Sequence, residues 1–406
     1  MTAATRIADA EFLRRPGVAR IMALLSNQGE EARVVGGAVR NHLLGLPIAD
    51  IDLCTTALPD VVMSRAMDAG LNAVPTGYEH GTVTIIVAGV AHEVTSLRKD
   101  IATDGRRAKV KFGRSFEDDA LRRDFTINAL SVDRDGQVFD YAGGLEDIAA
   151  RRIRFIGVAD QRICEDYLRI LRFFRFSAAY GTGSLDQDGM TAVLRNRAGL
   201  ASLSRERVRQ EMMKLLVAPL AGQILAIMDV SGLLGDVLGQ NGDVPAFAAM
   251  VAQEQAAGLP ADAVRRLGAL GVRSLHDVAR LRVGLRLTNR EEAHLSAILP
   301  GLNGKSDEAS LKVALYRLEM PSYGDAVLMQ AAANHDRSGR SAALSLPGRW
   351  PVPKFLITGA DVMASGVTRG PEVGRRLAEI EARWIAAGMP EGREAQTALL
   401  SGFKAP

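Results

Sequence analysis

The chain of 406 residues is longer than one ordinary domain and long enough for about two to four compact units with real cores. Its composition, 47% hydrophobic and 24% charged, is that of a soluble globular protein. The calculated pI is about 8.9 but the formal net charge is only +3, so the balance permits a nucleic-acid partner without requiring one. Local clusters of arginine are therefore more informative than the total charge.

Two cysteines, Cys54 and Cys164, are too few for a disulfide framework. Each follows an apolar residue, and the pattern predicts a reduced, buried thiol. The first residues include acids where a signal peptide has its apolar run, and no later apolar stretch is long enough to cross a bilayer. The sequence therefore predicts a cytoplasmic protein with no membrane partner.

Apolar residues at helical spacing predict an opening amphipathic helix over Pro16 to Ser26. It leads into the stretch from Arg33 to Thr56, around which the chain is organised. There a short apolar strand meets Gly36 and Gly37, where the missing side chains let backbone N–H groups approach a phosphate closely. Arg40 follows one turn into the next predicted helix, whose N-terminus attracts anions. The segment has the chemistry of a triphosphate cradle.

A pair of carboxylates comes next, on a strand predicted from Ile48 to Thr55. Because strand side chains alternate between faces, Asp50 and Asp52 are expected to point the same way, with Ile51 and Leu53 on the other face. Two acids so placed repel each other unless a hard divalent cation such as Mg²⁺ lies between them. The pair therefore suits two-metal phosphoryl transfer.

Further elements follow the carboxylate pair. A helix is predicted from Asp60 to Ala69, and then two strands, His80 to Val87 and Ala91 to Leu97, that form a hairpin. Glu93 lies on the second strand. The segment from Arg98 to Arg114 is basic and rich in turn residues, which indicates a loop.

The stretch G-G-A-V-R-N-H-L-L-G-L-P-I-A-D-I-D-L resembles the signature of tRNA nucleotidyltransferases and bacterial poly(A) polymerases. These are the class II members of the polymerase beta-like nucleotidyltransferase superfamily. In that superfamily a third carboxylate often lies on a strand beside the metal pair, so the resemblance makes Glu93 a candidate catalytic residue beside Asp50 and Asp52. An ordinary exposed glutamate is the alternative. The family usually has Asp where this chain has Asn41, which removes a charge beside Arg40.

The motif R-R-D-F-T-I-N-A resembles the family's second signature and contains Arg123 and Asp124. The resemblance implies that these two residues contact the nucleotide. An arginine-acid salt bridge that closes the catalytic domain is the alternative, and it is compatible with that contact.

A helix is predicted over Glu165 to Phe176, with Asp166, Arg169, Arg172 and Arg175 three residues apart along one side. A solvated charged face is the default interpretation of such a stripe. The segment also resembles the family's E-D-x-x-R element, in which an acid and an arginine read the incoming base. A carboxylate accepts from the exocyclic amine of cytosine, and a guanidinium donates to its ring nitrogen and carbonyl. The resemblance implies base recognition by the first two residues, with the later arginines directed to the phosphates.

The resemblance spans most of the chain and implies its architecture. We expect an α/β nucleotidyltransferase head with a mixed sheet, followed by an all-α neck, body and tail. The expected bounds are 1–145 for the catalytic head, 146–216 for the base-recognising neck, 217–300 for the body and 301–406 for the tRNA-binding tail. Leu203 to Glu211 resembles a capped family helix that braces the base-reading element.

The implied function is addition of CCA to the 3′ end of tRNA from CTP and ATP, with Mg²⁺. Arg98 to Arg114 resembles a loop that CC-adding relatives lack, which favours a chain that also adds the terminal A. The alternatives are a bacterial poly(A) polymerase, a split-activity A-adding or CC-adding enzyme, and an RNA-binding protein without activity. The retained metal-binding acids argue against the last.

Overall fold

The computed structural model describes residues 5–104, 107–299, 307–336, 341–368 and 370–402. The chain divides into two compact units, 1–237 and 238–406. The expected division into head, neck, body and tail is finer than this, and its bounds stay predictions. Across the described ranges, every helix is too short or too polar to cross a membrane.

The first unit contains a mixed sheet, which confirms the predicted α/β head. Its strands are β1 Ala32–Val35, β2 Asp52–Thr55, β3 Asn72–Gly77, β4 Thr82–Val87, β5 Val90–Ser96, a separate pair β6 Arg98–Asp104 and β7 Arg107–Phe112, then β8 Ser131–Val132 and β9 Val138–Phe139. The order in the sheet is β3-β4-β5-β2-β1-β8-β9. Neighbours are antiparallel except β2 and β5, which are parallel.

Two predictions about strands need correction. The strand predicted from Ile48 begins only at Asp52, so Asp50 precedes β2 instead of lying on it. The reason is that β1 turns away after pairing Val35 with Asp52, which leaves the earlier residues without a neighbour. The predicted basic loop is also wrong in part, because β6 and β7 pair as a hairpin between Arg98 and Phe112. Its turn residues, 105 and 106, lie outside the described residues.

The helices of the first unit include the predicted opening helix and the helix before β3. They are α1 Glu11–Arg14, α2 Pro16–Leu25, α3 Gly37–Leu43, α4 Pro59–Asp68, α5 Phe116–Leu121, α6 Gly144–Ala149, α7 Ala159–Glu165, α8 Leu168–Tyr180, α9 Gln187–Asn196, α10 Arg205–Leu216, α11 Ala221–Val230 and α12 Leu233–Leu238.

The helix predicted over Glu165 to Phe176 is broken at Asp166. α7 ends at Glu165, Asp166 has an extended backbone (φ −157°, ψ 105°), and α8 begins at Leu168. The Asp166 carboxylate accepts a hydrogen bond from the Leu168 N–H at 3.1 Å, and its carbonyl accepts one from the Arg169 N–H at 2.9 Å. Asp166 is the C-cap of α7 and bonds across Tyr167, the N-cap of α8, since short acidic side chains compete for backbone donors in this way.

An aromatic cluster fixes α8 against the head. Phe125 lies 4.9 Å from Phe155 and 5.2 Å from Phe176 between ring centroids, and Phe173 packs 5.4 Å from Phe155. All four rings are buried. Because each ring removes a large apolar area from water, this cluster sets the position of the arginines on α8 relative to the sheet.

The start of the described chain joins the far edge of the head. The Val138 N–H donates to the Thr5 carbonyl at 2.9 Å, and the Ile7 N–H donates to the Gly136 carbonyl at 2.8 Å. Arg6 and Gln137 form an isolated bridge. These bonds satisfy backbone groups along the outer side of β9.

All regular secondary structure in the described residues of the second unit is helical, as predicted. Its helices are α13 Val244–Ala256, α14 Ala263–Gly271, α15 Leu275–Leu285, α16 Asn289–Ile298, α17 Glu308–Leu318, α18 Ser322–Ala333, α19 Ser341–Leu344, α20 Leu346–Arg349, α21 Gly359–Ala364, α22 Pro371–Ala386 and α23 Arg393–Thr397. Buried Tyr323 and Trp384 are among its largest core side chains.

The two cysteines differ in environment. Cys54 is a free, buried thiol on β2, as predicted, and burial raises its pKa to about 12. Cys164 is also free but exposed, which corrects the prediction. It lies near the end of α7, whose apolar face is carried by the preceding residue, Ile163.

Candidate active site

The turn between β1 and α3 places backbone groups and arginine side chains at the end of an inner strand of the sheet. Gly36 has φ 67°, and a Cβ at this position would lie 3.0 Å from Nη1 of Arg123. A side chain would therefore be both strained and crowded there. The turn lets Arg40 and Arg123 approach the same point from two elements.

Arg40 is buried, at 7% exposure, and its contacts are neutral. Nη1 donates to Oδ1 of Asn128 at 2.5 Å, and Nη2 donates to the Tyr180 hydroxyl at 2.8 Å. The guanidinium also lies 4.1 Å from the centroid of the Tyr180 ring. Burial lowers the pKa of Arg40, because the charge has lost water. Among the described residues no carboxylate lies within 4.0 Å of it.

The second motif forms three ion pairs. Asp119 of α5 accepts from Arg122 at 2.5 Å and from Arg123 at 3.0 Å. Asp124 accepts from Nε of Arg172 at 2.7 Å, which joins the head to α8. Burial acts to raise the pKa of Asp124, but the charge of Arg172 and the surrounding hydrogen bonds lower it overall. Arg123 and Asp124 therefore form the salt bridges given above as the alternative interpretation of this motif, and these salt bridges are compatible with contact with a nucleotide.

The base-reading candidates lie at the start of α8. Oδ2 of Asp166 accepts from Arg207 of α10 at 2.6 Å. Nη1 of Arg169 donates to Glu165 at 2.5 Å and to the Arg162 carbonyl at 2.8 Å. These contacts fix both side chains, and α10 braces the element, as the resemblance implies.

These residues surround one cleft of about 420 Å³. This is within the usual range for small-molecule sites, about 300–1,000 Å³. Its lining includes most of the predicted nucleotide-binding residues and one of the predicted metal ligands. The lining residues are Gly36, Gly37, Arg40, Asp52, Arg122, Arg123, Asp124, Asn128, Asp166, Leu168, Arg169, Arg172, Phe176 and Arg207.

Arg40 differs from the other arginines that line the cleft. Each of the others pairs with a carboxylate; the pairs are Arg122 and Arg123 with Asp119, Arg169 with Glu165, Arg172 with Asp124, and Arg207 with Asp166. A buried cation without a counter-charge is costly unless an anion joins it. Arg40 is therefore the side chain best suited to attract a phosphate.

Of the two predicted metal ligands, Asp52 lines the cleft and Asp50 does not. Asp50 and Asp52 are exposed, and neither pairs with another side chain in the described ranges. Although Asp52 is exposed to solvent, the protein atoms packed around its carboxyl group displace part of its water and raise its pKa. The opposing charge of Arg123 lowers this pKa, and the negative charge of Asp50 raises it. Carboxylate oxygens with this mutual repulsion fit a hard divalent cation.

Glu93 is exposed on β5, the strand that pairs with β2. The register pairs Leu53 with Val94, so Glu93 and Asp52 occupy corresponding positions on the two strands. Within the described residues, however, no three His, Cys, Asp or Glu side chains are close enough together to hold one ion. The catalytic role of Glu93 stays a prediction.

Arg175 does not line the cleft. Its Nε donates to Glu211 of α10 at 2.5 Å, and its side chain is 14% exposed. Three residues of an α-helix cover about 60° less than a full turn, so side chains spaced three apart do not lie exactly above one another. Arg175 is six residues beyond Arg169, and this difference in direction turns its side chain toward α10.

Five lining residues were not among the predicted site residues, namely Arg122, Asn128, Leu168, Phe176 and Arg207. Arg122 and Asn128 belong to the R-R-D-F-T-I-N motif, and Arg207 belongs to the Leu203 to Glu211 element. The motifs could therefore have identified these three residues. Phe176 reaches the cleft through the packing of α8, which no local pattern encodes.

Comparison with known proteins identifies the family. A family model described as the Poly A polymerase head domain matches residues 32–154. The chain is 33% identical over 408 aligned positions to "CCA tRNA nucleotidyltransferase 1, mitochondrial" of Danio rerio, covering 95% of this chain and 90% of the relative. The chain belongs to the CCA tRNA nucleotidyltransferase family.

Other CCA tRNA nucleotidyltransferases agree with this assignment. A CCA-adding enzyme of Geobacillus thermodenitrificans is 44% identical over 215 residues, 52% of each chain. The crystal structure of the Bacillus stearothermophilus CCA-adding enzyme in complex with CTP is 28% identical, covers 98% of both chains and superposes with a TM-score of 0.76. The chain is therefore an enzyme with the nucleotidyltransferase fold. The head match includes Gly36, Asp52 and Asp124 and ends before Asp166.

Proposed function

We propose that the chain adds C, C and A to the 3′ end of tRNA, using CTP and ATP and releasing pyrophosphate. The observation that carries the proposal is the shared cleft. Arg40, Asp52 and the pair Asp166 and Arg169 line one cavity of about 420 Å³. A phosphate-attracting cation, a metal-binding carboxylate and base-reading groups thus surround a single space of nucleotide size.

In this proposal Arg40 binds the triphosphate. It is a buried cation of the cleft with neutral partners, which occupy four of its five N–H donors. One N–H of Nη1 and the uncompensated positive charge remain for a phosphate oxygen. Arg123 and Arg172 add positive charge while their own carboxylates hold them in place. In this proposal the three arginines orient the α-phosphate toward Asp52 at the start of β2.

Asp50 and Asp52 would hold Mg²⁺, which we propose as the divalent cation of the family. Its chemistry at this pair is activation of the tRNA 3′-hydroxyl and stabilisation of the leaving pyrophosphate, in the two-metal manner. The carboxylates have no competing cation partner in the described ranges, so both remain available as ligands.

Asp166 and Arg169 would select the base. Arg169 uses Nη1 for Glu165 and Arg162, and Nη2 for the Arg122 carbonyl at 3.4 Å. The five donors of a guanidinium leave Nε and one hydrogen of Nη2 for a ligand. Asp166 likewise retains acceptor capacity beyond its two contacts. Donors and acceptors on rigid neighbours can match the edges of cytosine and adenine and leave other bases unpaired.

The second candidate is a poly(A) polymerase, favoured by the description of the matching head model. The near full-length relatives named for CCA addition support the first candidate instead. We assign tRNA binding to residues 301–406 and the activity to the cytoplasm, although near full-length relatives include enzymes named mitochondrial.

The deciding experiment supplies purified protein with tRNA lacking its CCA end, with tRNA ending in CC and with unrelated RNA. Each receives CTP, ATP or both, with Mg²⁺ present. We expect three nucleotides on the first tRNA, one on the second and no further growth. Long adenylate tails on unrelated RNA would establish the poly(A) polymerase. Addition of A to the CC-ending tRNA without any use of CTP would establish an A-adding enzyme, and C addition that stops before A would establish a CC-adding enzyme.

A further inference from the structure

Asn41 of α3 forms hydrogen bonds in two directions. Its Oδ1 accepts from Nε of Arg40 at 3.1 Å and from Nη2 of Arg40 at 2.8 Å. Its Nδ2 donates to the Pro47 carbonyl at 2.8 Å. An amide offers both an acceptor and a donor, whereas an ionised carboxylate only accepts. Asn41 therefore links the arginine to the segment that leads to Asp50.

The amide also determines the charge beside Arg40. The remaining partners of this guanidinium, Asn128 and Tyr180, are neutral as well. A carboxylate at position 41 would occupy the place of an oxygen that is now 2.8 Å from Nη2. It would pair with Arg40 and cancel the field that the cleft presents to an anion. It would also remove the donor to Pro47.

We propose that Asn41 is a positioning residue that orients Arg40 in the cleft while leaving its charge available to the triphosphate. The inference rests on the proposed nucleotide site. With Asp at position 41, Arg40 would have a carboxylate partner. This chain instead presents one more uncompensated positive charge, so its resting cleft binds a polyphosphate more tightly than it would with Asp. The bond to Pro47 holds the approach to Asp50 in register with Arg40.

The test compares the parent with Asn41→Asp and Asn41→Ala. The probe is inorganic tripolyphosphate, titrated by calorimetry without divalent cation at low and high salt. We expect Asn41→Asp to weaken binding by about tenfold at low salt, or about 1.4 kcal/mol, and the loss to shrink as salt screens the charge. Asn41→Ala, which removes the contacts without adding charge, should lose less and keep the salt dependence of the parent. With tRNA, Asn41→Asp should raise the KM for CTP and ATP more than it lowers kcat.

Equal tripolyphosphate affinity in Asn41→Asp and the parent would overturn the proposal. Equal losses in both variants, with the same salt dependence, would also overturn it because the charge would then have no part. If Asn41→Asp fails to fold by circular dichroism, Asn128→Asp brings a carboxylate to Nη1 of Arg40 and should show the same salt-dependent loss. A parent that binds tripolyphosphate in this way but adds no nucleotide to tRNA would refute the proposed function and not the role of Asn41.

Discussion

Replacing Asp166 and Arg169 together with Ala should strongly lower the selectivity for CTP and ATP while leaving catalysis in place. Arg169 has two N–H groups without an acceptor in the described residues, and Asp166 has two oxygens of which each carries one contact. Each base-edge contact is worth about 1–3 kcal/mol of discrimination. Loss of one contact should lower selectivity by roughly 5-fold to 150-fold, and loss of both by more. UTP and GTP should then compete.

The assay is kcat/KM for each of the four nucleotides with tRNA lacking its end. Arg162→Ala is the matched control, because Arg162 pairs with the same Glu165 at 3.1 Å but does not line the cleft. It should keep the preference of the parent for CTP and ATP. A double variant that slows equally on all four nucleotides, with its preference intact, would refute base reading and return these residues to a structural role.

Four further results are expected. Asp52→Ala should remove turnover with CTP and ATP while tRNA binding, measured by filter retention, largely survives. Deleting Asp100–Arg107 should slow A addition more than C addition in single-nucleotide assays, as the resemblance of the basic segment implies. Glu211→Ala should lower the free energy of unfolding by about 3 kcal/mol in denaturant titrations, because it removes the carboxylate that pairs with Arg175 and the second carboxylate beside Arg172. The lowered pKa of Asp124 contributes stability that is present above its ordinary pKa of 3.8 and is lost as pH falls below it, so Asp124→Asn should flatten the acid limb of the stability curve.

Each of these expectations has a result that contradicts it. Normal rates in Asp52→Ala would remove it from metal binding, with circular dichroism as the control for folding. Equal losses of A and C addition would make the β6–β7 hairpin a structural element only. An unchanged unfolding midpoint in Glu211→Ala would mean that water replaces its pairs. An acid limb identical to that of the parent in Asp124→Asn would assign acid sensitivity to other carboxylates.

Features with strong local signals could be predicted from the sequence. The strand, the Gly36 turn and the helix with Arg40 form a unit whose geometry is set by glycine conformation and apolar pattern, and the structure contains it. The hairpin of β4 and β5 likewise follows from β-branched residues on either side of a turn. Arg123, Asp166 and Arg169, which belong to separate family motifs, line one cleft, and their roles in nucleotide binding stay predictions.

The features that could not be predicted depend either on a local hydrogen bond that competes with the helix or on contacts between residues far apart in the sequence. The periodic pattern predicted one continuous helix through Asp166. The hydrogen bond from the Leu168 N–H to the Asp166 carboxylate accompanies a break there, and hydrophobic periodicity does not detect such a bond. Asp124 meets Arg172 across 48 positions, and that contact is created by packing of the aromatic cluster. The neutral partners of Arg40 also come from three different elements. Its lack of a carboxylate partner among the described residues therefore cannot be predicted from the sequence near Arg40.

The backbone hydrogen bond from Val138 to Thr5 joins residues that leave the ribosome at very different times. A ribosome that adds about 5–20 residues per second takes roughly 7–27 s to pass from one residue to the other. Throughout that interval the first strand-like segment has no partner, and the edge it will cover does not yet exist. Unpaired backbone of this kind is a template for association with other chains. High contact order slows the closing step further, so we expect the nascent head to depend on molecular chaperones until β9 has left the exit tunnel.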